Sequence, residues 1–210
     1  MSIIDQVSSR VGDRTETSNV IVALQCIDSP GLLSAIVNAL SDKDEKLVGD
    51  CAEVLTKVAE EKPDLIVPYA QNLVNLLRNK STRARWEAAH ALALITEYAG
   101  NIIEPELQFI EGLVKSDKSV IVRDYSTDII ANYAKCGPEQ ARVAFPMLKE
   151  ALYLWEGKHA AHAIYGLINV SMVIHDYDDE LMQIGNDFSV SGKGVVVKSA
   201  KMLMKEILKR

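Results

Sequence analysis

The chain has 210 residues, 25% of them charged and 48% hydrophobic, with aromatics at only 6%. This composition suits close helix-on-helix packing better than a β-sandwich. A net charge of -6 argues against general affinity for nucleic acid or anionic membrane, though it leaves room for a local basic patch.

In chain order, residues 1–12 read as a short amphipathic helix with Ile3, Ile4 and Val7 on one side, ended by Gly12 and Asp13. Thr17 or Ser18 is placed to cap a helix through Val20, Ile21, Leu24 and Cys26. Asp28-Ser29-Pro30-Gly31 is a turn, and the helix after it carries Leu32, Leu33, Ile36, Val37 and Leu40. Three longer amphipathic segments follow, Lys46 to Ala59, Arg83 to Glu97 and Val120 to Ala134. Each precedes a second apolar segment with Pro68, Pro105 or Pro146 expected in its first turn, 37 and then 41 residues apart. A fourth unit opens at Gly157 and loses regularity. From His175 to Gly194 the chain is polar, with a short helix expected only at Glu180 to Ile184 before a closing helix from Val195 to Leu208. The expected architecture is all-α, about ten helices and no sheet. It forms a single solenoid domain of 1–210, with an N-terminal cap at 1–41 and repeats at 42–80, 81–117, 118–156 and 157–178. An acidic, glycine-bearing loop and a cap helix then occupy 179–210.

Helix pairs of this length resemble HEAT repeats, within the armadillo-type solenoids. The resemblance rests on Pro68, Pro105 and Pro146, on Asp42 and Asp117 at unit boundaries, and on Arg85 and Arg123 in first helices, with Lys158 near the corresponding place. The first clear unit departs from the pattern, with Val48 or Gly49 where an arginine is expected. Armadillo repeats have three helices per unit, and the segments here look too short for a third. The resemblance implies a right-handed superhelix whose second helices line a concave face. It also implies a scaffold or adaptor that binds another protein; a minority of such folds act on DNA or bind tetrapyrrole-type ligands.

On the second helices, Asn72, Asn75, Gln108, Glu111 and Lys149 are left over from packing, with Trp155 at the far end of the third unit. These are the candidate partner-binding residues. Arg78, Lys80, Arg83 and Arg85 form the densest basic cluster, next to Trp86, and carry the alternative reading of a nucleic-acid-binding or DNA-glycosylase-like protein. Arg85, Arg123 and Lys158 are either a phosphate track or a structural ladder in which each cation pairs with an acid or helix end of the adjoining unit, such as Asp124 or Asp128; the ladder is favoured, because few cations on an acidic chain hold phosphate weakly at physiological salt. His159 and His162 share a helix face but lack the spacing and the acid of a zinc pair. Asp176, Asp178 and Glu180 alternate like a calcium loop but meet Leu181 where glycine belongs. Cys26, Cys51 and Cys136 read as buried reduced thiols. No catalytic group, metal or cofactor is expected. No apolar run reaches the roughly 18 residues that span a bilayer, and MSIIDQVSSR lacks the pattern of a signal peptide, so the expected compartment is the cytoplasm.

Overall fold

The computed structural model describes residues 2–209, among which every regular element is helical: thirteen α-helices and eight 3-10 turns, with no strand. The chain divides at Ile103 and Glu104 into two compact units.

The first unit opens with a 3-10 turn at Ile3–Gln6 and α1 (Ser8–Val11), which Gly12 closes in the left-handed conformation at φ 77°. Neither Thr17 nor Ser18 caps α2 (Thr17–Asp28). Asp13 does this instead, one carboxylate oxygen accepting from the Thr15 amide and hydroxyl, the other from those of Ser18. These donors, the Ser18 hydroxyl foremost, hold the Asp13 carboxyl well below its ordinary value. After Pro30–Leu32 comes α3 (Leu33–Ala39), then α4 (Glu45–Glu61), capped by Asp44. Two 3-10 turns, Pro63–Leu65 and Val67–Tyr69, lead into α5 (Ala70–Leu76). The unit ends with α6 (Thr82–Ile95), the turn Thr96–Tyr98 and α7 (Gly100–Ile103). Helix α4 lies at its centre, packed on α2, α3 and α6. Its apolar positions at spacings of three and four, including Val54, Leu55 and Val58, are completely buried. Each such side chain contributes about 1.5–3 kcal/mol by leaving water.

In the second unit, the turn Glu104–Glu106 precedes α8 (Leu107–Ser116), followed by α9 (Val120–Tyr133) and α10 (Pro138–Ala151). A turn at Leu154–Gly157 leads to α11 (Ala160–Val173), α12 (Asp178–Ser189) and α13 (Gly194–Ile207). Helix α9 packs on α8, α10 and α11, and α13 closes on α11 and α12.

Three expectations change. Pro146 is interior to α10 rather than in its first turn, because Gly137-Pro138 already starts that helix, with proline at its first position. The acidic stretch expected as loop forms α12, whose Leu181, Ile184 and Gly185 are buried. The connectors between first and second helices, judged too short for a third helix, themselves turn helically at Pro63–Leu65, Val67–Tyr69 and Gly100–Ile103.

The repeat is legible atom by atom at three loop corners. Asp42, Asn79 and Asp117 each accept, through the side-chain Oδ1 at 2.8 Å, the amide two residues on. That next residue, Asp44, Ser81 or Ser119, then caps the following helix.

Candidate functional site

The predicted partner-binding residues fall into two sets, one in each unit. In the first, α5 turns Asn72 and Asn75 to solvent, while Ala70, Leu73 and Val74 are buried beneath them. They line a hollow of about 310 Å³ with Leu40, Ser41, Leu76, Arg78 and Asn79. Asn75 Oδ1 accepts from Gln71 Nε2 at 3.3 Å, whereas no hydrogen bond engages the carboxamide of Asn72 among the described residues.

In the second unit, Gln108 is exposed on α8, and Glu111 is bound to Lys115, which also reaches Glu150 on α10 at 2.9 Å. Lys149 pairs with Glu180 at 2.5 Å. The charged members of this set are thus already matched, while the Gln108 carboxamide is exposed.

Trp155 is fixed by its own surroundings. It and Glu156 adopt left-handed backbone conformations (φ 53° and 56°), which cost a non-glycine residue on the order of 1 kcal/mol or more each. The indole nitrogen donates to the Val114 carbonyl at 3.0 Å, and the Arg123 guanidinium lies over the ring at 3.9 Å from its centroid. The ring remains 40% exposed, and Tyr153 beside it, tilted against Phe188, is 64% exposed.

The basic cluster is not assembled into a patch. Arg83 turns inward, its Nη2 2.8 Å from Asp50 and 2.7 Å from Glu53. Burial works against ionisation of Asp50, yet Ser9, Asn19 and Arg83 together hold its carboxyl below the ordinary value. Arg85 donates to the Asn79 and Lys80 carbonyls, and Arg78 to that of Val74. Lys80 is exposed, and no hydrogen bond or ion pair engages its ammonium among the described residues. Trp86 is half-buried and donates to Glu87 at 2.6 Å. Burial pushes the Glu87 carboxyl upward.

Of the predicted ladder, only Arg85 and Arg123 are bound, and to loop carbonyls rather than to Asp124 or Asp128. Arg123, buried, repeats the geometry of Arg85 by donating to the carbonyl six residues back, that of Asp117, at 2.6 Å. Its Nε also donates to His159 Nε2 at 2.9 Å. That makes Nε2 an acceptor, so the His159 proton sits on Nδ1, 2.6 Å from Asp124. A buried Asp–His pair is a common base in catalysis, but here the distal nitrogen is occupied by an arginine and reaches no solvent. Asp124 and Asp128 therefore serve His159, the residue before α11, and His162 within it, not the arginines. Lys158 is exposed and joins neither.

Among the described residues, no three of His, Cys, Asp and Glu are grouped to hold a metal ion. No helix among them is long and apolar enough to cross a membrane. Cys26 and Cys51 are buried, which pushes their thiols up to about 11 and about 12, whereas Cys136 is only half-buried. The Asp50–Asn19–Glu53–Arg83 network went unseen in the sequence. A capping pattern marks helix ends locally, but nothing local announces an acid facing a cation about thirty residues away.

No family model matches the sequence, and no curated protein matches it. The likeness lies among solved structures. An engineered protein superposes with a TM-score of 0.75 at 19% identity, over 99% of this chain and 98% of its own. A designed armadillo repeat protein in complex with the peptide (KR)4 gives 0.74 at 19% identity, over 98% of both chains. Computationally designed armadillo repeat proteins for modular peptide recognition give 0.73 at 19% identity, over 97% of this chain and 98% of theirs. At such identities the likeness defines the fold, an all-α solenoid of the armadillo/HEAT type.

Proposed function

We propose that this chain is a non-catalytic scaffold that holds an extended segment of a partner protein against its second helices. The observation that carries the reading is the asparagine-lined hollow on α5, with Asn72 unengaged and Asn75 at its side. A carboxamide offers one acceptor and two donors, which matches the alternating C=O and N–H of an extended peptide backbone whatever its side chains. Gln108 offers the same chemistry on α8. Glu111 and Lys149, held in ion pairs, set the spacing of the surface and give a partner little net charge to follow. The designed armadillo repeat protein that resembles this chain is in complex with the peptide (KR)4, which supports the same use of the fold. The arginines of the basic cluster, spent on Asp50, Glu53 and loop carbonyls, offer few phosphate contacts and favour the protein partner over a nucleic acid.

Short peptides selected by phage display against the intact chain test this. Their affinity, measured by calorimetry, is expected to fall about tenfold when Asn72 and Asn75 are both replaced by alanine, since two net hydrogen bonds are worth about 1–3 kcal/mol. Failure to select any peptide, or unchanged affinity in the double variant, would refute the proposal. Tight binding of duplex DNA at physiological salt would do the same.

A further inference from the structure

Helix α13 has a face that neither the core nor the asparagine surface uses. Its inner side, Val196, Ser199, Ala200 and Leu203, is buried against α11 and α12. Its outer side presents Lys198, Lys201 and Lys205 at spacings of three and four, which stacks them one above another along the helix. Val195, Met202 and Leu208 flank this row, 56%, 43% and 73% exposed. Some lysines of this acidic chain are matched, Lys57, Lys115 and Lys149 by glutamates and Lys209 by Glu206 at the end of α13 itself. No carboxylate pairs with Lys198, Lys201 or Lys205 among the described residues. Like charges at these spacings repel, and the apolar side chains beside them stay in water. Both costs are relieved by one kind of partner, an element carrying carboxylates and apolar groups together.

We infer that the outer face of α13 docks an acidic amphipathic helix of a partner protein. A shallow hollow of about 360 Å³, lined by Gly194, Val197, Lys198, Lys201, Met202 and Lys205, receives its apolar side chains, and the lysines meet its carboxylates. The charge pattern selects a single helix rather than an anionic bilayer. Asp179 and Asp187 are exposed on neighbouring α12, and the net charge of -6 opposes a broad anionic surface that feels the whole chain. A single helix engages the lysine row alone.

The probe is a synthetic peptide with leucines at helical spacing flanked by glutamates, titrated into the full chain and followed by fluorescence anisotropy. Saturable binding is expected, weakening as salt is raised. It should drop at least tenfold in the variant carrying Lys198→Glu, Lys201→Glu and Lys205→Glu, and also in the variant carrying Lys→Gln at the same positions. Met202→Ser, with every lysine intact, should lower it severalfold while circular dichroism stays that of the wild type. Binding is expected to be indifferent to Asn72→Ala with Asn75→Ala, which separates this site from the one on α5. The inference is overturned by absence of binding, or by affinity unchanged in both the lysine and the Met202 variants. Preference for phosphatidylserine vesicles over the peptide overturns it in favour of a lipid surface. Self-association abolished by the lysine variants overturns it in favour of a second copy of the chain.

Discussion

Asp124 and Asp128, one turn apart on α9, hold His159 at the start of α11 and His162 within it in different ways. His159 is buried and accepts a hydrogen bond from Arg123 Nε, so it links the acid to the arginine. His162 is 36% exposed, with Nδ1 2.8 Å from Asp128 and Nε2 3.5 Å from Asp124. The Asp128 hydrogen bond raises its pKa above 6.5, burial opposes this, and the charges of both aspartates add to the rise. A group whose folded value is raised stabilises the fold fully below the unfolded value and loses that contribution as pH climbs through the folded one. The urea midpoint of the wild type should therefore fall between about pH 6 and about pH 8 by more than that of His162→Asn. Parallel profiles for the two proteins would show that the histidine adds nothing. At this scale the sequence was half legible. The 38-residue step from Arg85 to Arg123 and the shared face of His159 and His162 are local, and both were visible. Their acceptors were not, because Asp124 reaches His159 only once α9 and α11 are packed.

At the scale of elements, close approach decides which glycines are needed. Gly166, buried in α11, has no room for a methyl: a Cβ there would lie 2.6 and 2.8 Å from the Leu148 methyls and 2.9 Å from the Ala131 Cβ. The leucine can move, but the Ala131 Cβ is fixed to the α9 backbone. Gly166→Ala should therefore cost stability despite the gain of about 1 kcal/mol in helix propensity, leaving a net loss of about 1–2 kcal/mol. Gly112 in α8 meets nothing within 4 Å, so Gly112→Ala should stabilise by about 0.5–1 kcal/mol. Urea unfolding of the two variants checks this; two shifts of the same sign would contradict it. Element existence was read well, since Lys46 to Ala59 lies within α4 and Val120 to Ala134 covers α9. Starts were read less well where two prolines competed, as Pro138 and Pro146 do in α10. Helix α12 was read too short, at Glu180 to Ile184 only, because its charged first turn, Asp178 to Glu180, masks the apolar spacing of Leu181 and Ile184 that buries it.

For the molecule as a whole, the repeat was the legible feature. Proline and boundary-residue periods near 40 pointed to a solenoid before any contact was known, because stacked hairpins impose their spacing on the sequence. The division at Ile103 and Glu104 was not legible, since it falls inside the unit drawn at 81–117 and no loop of glycine or serine marks it. Each side of that division has what an independent fold needs. In the first, α4 buries Val54, Leu55 and Val58, and Asp50 joins the Ser9 amide, Asn19 and Arg83 of three other segments. In the second, Ile129, Ile130, Leu148, Ile164, Leu167 and Leu203 bring α9, α10, α11 and α13 to one core. Stability in a repeat protein is carried mainly by neighbouring contacts, so fragments that keep their neighbours keep most of it. Chains of about a hundred residues also bury enough surface to fold alone. Residues 1–103 and 104–210, expressed separately, should each be helical by circular dichroism and unfold in urea with a cooperative transition. A fragment that is helical but melts without a sigmoid, or that is recovered only as aggregate, would place the cooperative unit at the whole chain instead.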